Sequence, residues 1–226
     1  ITHNQKMKSR FYTLLMLLLP IAAKSQEEFK NFQLGFTLTP NLGWARINDN
    51  SPSYSAEGTN VGFSYGLIGD FGFSKNYFFS TAFTLTSINT KVSNTDVDAP
   101  GAVRNDITYK VQYIEIPLTI KLKTNEVAER CFYGQFGLGT GIKVSGKLDS
   151  ELRSSTGVVS EETKKDIDSD NVIRLSLVAG AGMQWNFTQN TSFLTGVTFN
   201  NGFTNMLSKG PSIRNSYVAL NLGVLF

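Results

Sequence analysis

From Phe32 to Trp44 every even-numbered residue is apolar (Phe32, Leu34, Phe36, Leu38, Pro40, Leu42, Trp44), while the odd positions are Gln33, Gly35, Thr37, Thr39, Asn41 and Gly43. A period of two held over this length predicts a β-strand with one apolar face and one small or polar face. The pattern recurs with its parity reset. Val61, Phe63, Tyr65, Leu67, Phe71 and Phe73 mark a second strand, and Tyr77, Phe79, Phe83 and Leu85 a third. Ile114, Ile116, Leu118, Ile120 and Leu122 mark a fourth, and Phe132, Phe136, Leu138, Ile142 and Val144 a fifth. The sixth carries Ile173, Leu175, Leu177, Ala181, Met183 and Trp185, and the seventh Phe193, Val197 and Phe199. The eighth, from Tyr217 to Phe226, places Val218, Leu220, Leu222, Val224 and Phe226 on one side. In the fourth strand Tyr109, Val111 and Tyr113 fall on the wrong parity, which predicts a bulge near Tyr113; the same bulge would make room for Pro117, which cannot donate to a ladder.

Connections alternate in length. Short turns are expected at Ser74–Asn76, Asn125–Arg130 and Thr188–Asn190, and longer polar loops at Arg46–Asn60, Lys91–Asp106, Gly146–Asn171 and Thr204–Arg214. This predicts an all-β fold: an eight-stranded antiparallel up-and-down transmembrane β-barrel with an apolar exterior and a small or polar lumen. A soluble barrel of the lipocalin kind would put its large apolar residues inside. The charges decide against it, because Asp70, Glu115, Lys121, Lys123, Lys143 and Arg174 all lie on the small or polar parity. A Lys or Arg facing lipid costs about 2–4 kcal/mol at the bilayer midplane, so the apolar face is the one that meets lipid. Glycines at 35, 43, 137, 139, 141, 180 and 182 share the inner parity and leave room for Tyr133, Gln135, Glu115 and Arg174 in a narrow lumen.

Lys6, Lys8 and Arg10 precede an apolar run from Phe11 to Ala23, followed by Ala23-Lys24-Ser25, the form of a secretory signal peptide. Residues 1–25 are therefore expected to be an upstream remnant plus a cleaved leader, and residues 26–226 a single barrel domain. Cleavage removes four basic residues and no acid, leaving 17 basic against 18 acidic, so the net charge of +3 becomes −1. Nucleic acid is not an expected partner. Cys131 is the sole cysteine, so no internal disulfide forms.

The sole histidine, His3, leaves with the leader, which removes imidazole-based catalysis and His-based metal sites. No catalytic residue and no cofactor is expected. Gly137, Gly139 and Gly141 alternate within a strand with no helix following, so they read as lumen packing rather than a phosphate loop. Asp166, Asp168 and Asp170 have the spacing of a calcium loop, but Asn171 replaces its glycine and Leu177 its bidentate acid. That segment reads as solvated loop.

The candidate functional residues are a lumen charge network of Glu115, Lys121, Arg174 and Asp70, with Glu115 expected to pair with Arg174, Lys121 or both. Two aromatic girdles are expected at the membrane interfaces. Phe71, Phe73, Tyr77, Phe79, Phe132, Trp185, Phe187, Phe193 and Phe226 belong to the turn end, and Trp44, Tyr109, Tyr113 and Tyr217 to the loop end. Tyr217, Leu222, Val224 and Phe226 resemble the C-terminal signal read by barrel-insertion machinery.

The segment Tyr113–Lys123, YIEIPLTIKLK, followed by YGQFGLGTGIKVSGK from Tyr133 to Lys147, resembles the PorT-type outer-membrane β-barrel family of Bacteroidota. Its members carry a Tyr-Leu-Glu-Ile-Pro-Leu-Leu-Leu-Lys strand and then a glycine-rich one. Tyr113, Glu115, Ile116, Pro117, Leu118 and Lys121 fit that pattern, and Ile114, Thr119 and Ile120 depart from it mildly. The opening strand LGFTLTPNLGW is also similar. The resemblance implies a small monomeric barrel in the outer membrane, in contact with its lipids; the leading expectation for function is a non-enzymatic barrel whose loops or periplasmic rim bind a protein partner in secretion or envelope assembly. The namesake takes part in type IX secretion. The competing expectations are an adhesin or scaffold acting through its loops, and a narrow pore.

Overall fold

The protein is represented by a computed structural model that describes residues 32–47, 53–98, 101–167, 171–188 and 190–226. The expected leader, and Asp168 and Asp170 of the calcium-like spacing, lie outside the described residues.

Among the described residues ten strands form: β1 (Phe32–Ile47), β2 (Tyr54–Ala56), β3 (Asn60–Ser74), β4 (Tyr77–Asn94), β5 (Arg104–Lys123), β6 (Arg130–Ser154), β7 (Gly157–Asp166), β8 (Ile173–Asn186), β9 (Ser192–Gly202) and β10 (Ile213–Leu225). Eight of them close a ring by antiparallel pairing in the order β1, β3, β4, β5, β6, β8, β9, β10 and back to β1. Closure leaves the ring without a free edge in the region where unpaired backbone is least tolerable. The short connections 75–76, 124–129 and 187–191 share one end with Phe32 and Phe226, whose neighbourhood is fixed by reciprocal backbone bonds between Leu34 and Phe226 at 2.8 and 3.1 Å.

Sheet extends into two of the expected polar loops. β4 and β5 stay paired up to Asn94 and Asn105, and β6 runs on to Ser154 before turning back as β7. With β2 against β4, this gives a five-stranded sheet, β2-β4-β5-β6-β7, standing beyond the loop end of the ring. The mostly polar composition of these segments hid the strands, because a sheet largely wet on both faces shows little hydrophobic alternation.

The apolar parity faces outward along every ring strand, with Phe36, Phe132 and Phe136 each 59% exposed. The lumen is filled in layers. Towards the turns and at mid-height it is mostly polar, as expected, apart from a small apolar cluster of Tyr133, Leu194 and Leu225 with Ile68 against them. At the loop end it is an apolar plug: Ala45, Ile88, Val92, Tyr109, Val111, Tyr113, Met206, Ile213, Tyr217 and Ala219 pack together, with Ile107 and Leu148 against them. The expectation of a small or polar lumen is therefore corrected at this end.

The plug also explains the supposed phase error in β5. Tyr109, Val111 and Tyr113 point inward in the same phase as Glu115, so β5 does not change phase. The bulge lies on the partner strand: Gln112 pairs with Ser145 and Tyr113 with Lys143, leaving Val144 as the extra residue of β6. That extra residue turns Leu148 inward. Pro117 is accommodated separately, where the β4–β5 ladder lapses between Thr81–Leu118 and Thr84–Glu115, and Thr81 Oγ1 donates to the Pro117 carbonyl at 2.8 Å.

Candidate functional site in the lumen and on the sheet above it

Residues 115, 121 and 123 share the inner face of β5, so one strand delivers an acid and two cations to the lumen at different heights. Glu115 and Lys121 are six residues apart, about 20 Å along an extended strand, too far to pair with each other. Each finds a partner at its own level. Arg174 of β8 donates from Nη1 to Glu115 Oε1 at 2.7 Å, from Nε to Asn215 Oδ1 at 2.7 Å and from Nη2 to Asn200 Oδ1 at 2.7 Å. The Tyr217 hydroxyl donates to Glu115 Oε2 at 2.8 Å. The guanidinium lies between the Tyr113 and Tyr217 rings, 5.8 and 5.5 Å from their centroids. Near the turn end Lys121 Nζ donates to both oxygens of Asp70, at 2.8 and 2.9 Å, Lys123 Nζ stands 3.2 Å from Asp70 Oδ2, and the Ser80 hydroxyl donates to Asp70 at 2.6 Å. Lys123 also donates to Gln33 Oε1 at 2.8 Å and lies over the Phe78 ring.

The four charged residues expected to form one network thus form two closed layers, Glu115–Arg174 and Asp70–Lys121, the second joined by Lys123. Between them lies a cavity of about 120 Å³. Its wall is rich in hydroxyls, among them Thr37, Thr39, Ser64, Thr84, Thr119 and Thr198. Gly182 and Gly196, opposite each other in register, seat the Tyr133 ring beside this cavity; a Cβ on either would come within 2.5 or 2.2 Å of its hydroxyl oxygen.

Tyr109, Tyr113 and Tyr217 are not girdle residues. They are buried in the lumen at 5, 2 and 8% exposure, and Tyr113 and Tyr217 hold Arg174. Parity was the signal that could have placed Tyr217: it lies on the small or polar side of its strand. Leu222, Val224 and Phe226 do lie on the outer face, with Phe226 5.9 Å from Phe36. Trp44 is on the outer face towards the loop end, stacked on Phe199 at 6.1 Å. Trp185 lies near the turns, under Arg130 at 4.7 Å.

Above the ring, the outward residues of β5 become polar at Gln112 and Lys110, which marks the end of its apolar face. Beyond this point Asp106 sits among Lys91, Arg104 and Arg153. Burial works to raise its carboxyl, but the hydrogen bond from Arg104 and the charges of Arg104, Lys91 and Arg153 hold it below the usual carboxylate range. Lys110 pairs with Asp149, which also accepts the Lys164 backbone N–H at 2.8 Å. No cluster of His, Cys, Asp or Glu among the described residues could hold a metal ion.

An apolar exterior, a charged and plugged interior and a closed ring describe a barrel built for a bilayer. The model of the outer membrane protein beta-barrel domain matches residues 22–208. The chain belongs to that family. Its place is the bacterial outer membrane, where short turns face the periplasm and longer loops the cell exterior. No curated protein matches the sequence. Among solved structures, this outer-membrane barrel is similar to the attachment invasion locus protein Ail of Yersinia pestis, at 15% identity and a TM-score of 0.41, over 87% of this chain and 100% of that one. It is similar to Neisserial surface protein A at 13% identity and 0.42, over 87% and 98%, and to OprG from Pseudomonas aeruginosa at 9% and 0.44, over 86% and 94%.

Proposed function

We propose that this outer-membrane barrel is a non-enzymatic, non-conducting anchor that presents the β2-β4-β5-β6-β7 sheet to a protein partner outside the cell, after export directed by the signal peptide at its N-terminus. The projecting sheet carries this reading: five paired strands braced by the Asp106 and Asp149 ion pairs form a surface rigid enough to be recognised. The YIEIPLTIKLK segment favours a PorT-type role in secretion or envelope assembly. The wet, charged β6–β7 hairpin, with Val158 and Val159 each 54% exposed near its tip, favours the second reading, an adhesin.

Deleting the gene and comparing secreted and surface proteomes with the parent's tests the first reading. Loss of many exported proteins, restored by the intact gene, is the expected result. A chain lacking residues 149–165 separates the two readings: normal secretion with lost attachment to cells or matrix would make the barrel an adhesin.

A further inference from the structure

One sector of the outer surface is built differently from the rest. Strands β8, β9, β10 and β1 contain no acidic residue, nor does the connection from β9 to β10. On this sector Arg46 of β1 and Arg214 of β10 are paired in register, on the same outer face. Like charges directly opposite each other in an antiparallel pair are destabilising, so the arrangement calls for an anion. Among the described residues neither arginine has a carboxylate partner. Arg46 Nη2 donates to the Gly202 carbonyl at 3.1 Å, and Arg214 Nε reaches Asn205 Oδ1 at 3.5 Å, which leaves most of the ten N–H donors of the pair unused.

Their height is set by the aromatics. Arg46 follows Trp44 by two residues, and Phe203 is exposed at the end of β9 nearby. Belts of this kind sit at the headgroup level, so the two guanidinium groups lie where lipid phosphates lie. Below them the outer face is grooved: Pro40, Leu42, Val61, Val197, Val218 and Leu220 line a depression of about 250 Å³. Leu42 and Val218 are themselves in register, four residues below the arginines, or about 13 Å along the strands. Cations above an apolar groove on one strand seam match a ligand with an anionic head and acyl chains.

We propose that Arg46 and Arg214 form a clasp for the phosphate of an acylated, phosphorylated glycolipid of the outer leaflet, whose chain lies in the groove along the β1–β10 seam. Guanidinium forks suit phosphate oxygens through paired hydrogen bonds, and the neighbouring lipid-facing surface supplies the rest of the binding. The proposal rests on the outer-membrane reading with the loops outward.

The test is titration of the folded, detergent-solubilised protein with bisphosphorylated lipid A, bound lipid being counted by native mass spectrometry. Wild type should retain the lipid, and Arg46→Gln/Arg214→Gln should retain it roughly tenfold more weakly. Wild type should lose the same factor when the lipid phosphates are removed, and Arg46→Lys/Arg214→Lys should fall between. Equal retention by wild type and the glutamine variant, or indifference to the phosphates, overturns the clasp. Displacement of the lipid by millimolar inorganic phosphate would assign a free-phosphate site and overturn the lipid source. Folding is read separately, as heat-modifiable gel migration after insertion into phosphatidylcholine vesicles. A wild type that cannot insert overturns the membrane reading, and the clasp with it.

Discussion

The Glu115–Arg174 pair is buried on all sides, and its energetics follow from that. Two charges out of water are costly, and they are tolerated here because the amide oxygens of Asn215 and Asn200 accept from Arg174 and the Tyr217 hydroxyl donates to Glu115. Glu115→Ala should strand the guanidinium and cost about 3–5 kcal/mol, seen as a fall in the temperature at which the folded gel species converts to the unfolded one. Replacing both partners, as Glu115→Leu with Arg174→Met, should recover most of that loss. An unchanged midpoint in the single variant would mean that the pair contributes nothing to stability. The positions of these two charges were legible in the sequence, since parity alone sends residues 115 and 174 inward. Their tyrosine partners are less legible, because aromatic residues near a strand end suit a girdle and a lumen equally by composition, and only parity sends Tyr113 and Tyr217 inward.

The most consequential element is β6, at 25 residues the longest strand. Below Val144 it is a membrane strand with even residues outward; above it, phase is shifted by one and Leu148 turns in to meet the plug. Deleting Val144 should carry the upper half of β6 onto the wrong face. The expected outcome is loss of hydrogen-exchange protection in β7 and in the upper parts of β5 and β6, with protection of the ring strands retained. Uniform loss would show that sheet and ring fold as one unit. At this height the apolar residues of β5 pass to the inner parity, but a single strand's pattern cannot say whether that marks a bulge or the start of an apolar lumen. That depends on what the inward residues pack against, which is a property of the closed ring.

For the whole molecule, the alternation of eight strands and the exclusion of charge from one face made ring and orientation legible, because both follow from the transfer of side chains into lipid. What fills the ring was less so: each strand contributes a few inward residues, and whether they meet as a polar channel or an apolar plug depends on register across the barrel. With the plug at one end and the Asp70–Lys121–Lys123 layer towards the other, purified protein in planar bilayers should show no steady ohmic conductance. Steady openings that persist across preparations would contradict the filled lumen. The plug has one further consequence, for assembly. Ala45 comes from the first ring strand, Ile213, Tyr217 and Ala219 from the last, and Ile88 and Val111 from the middle of the chain. Such a cluster cannot consolidate until the first and last strands have met, so the reward for burying it arrives only when the barrel zips shut. The seam is thereby latched from within, and reopening it would mean pulling apart the driest part of the molecule.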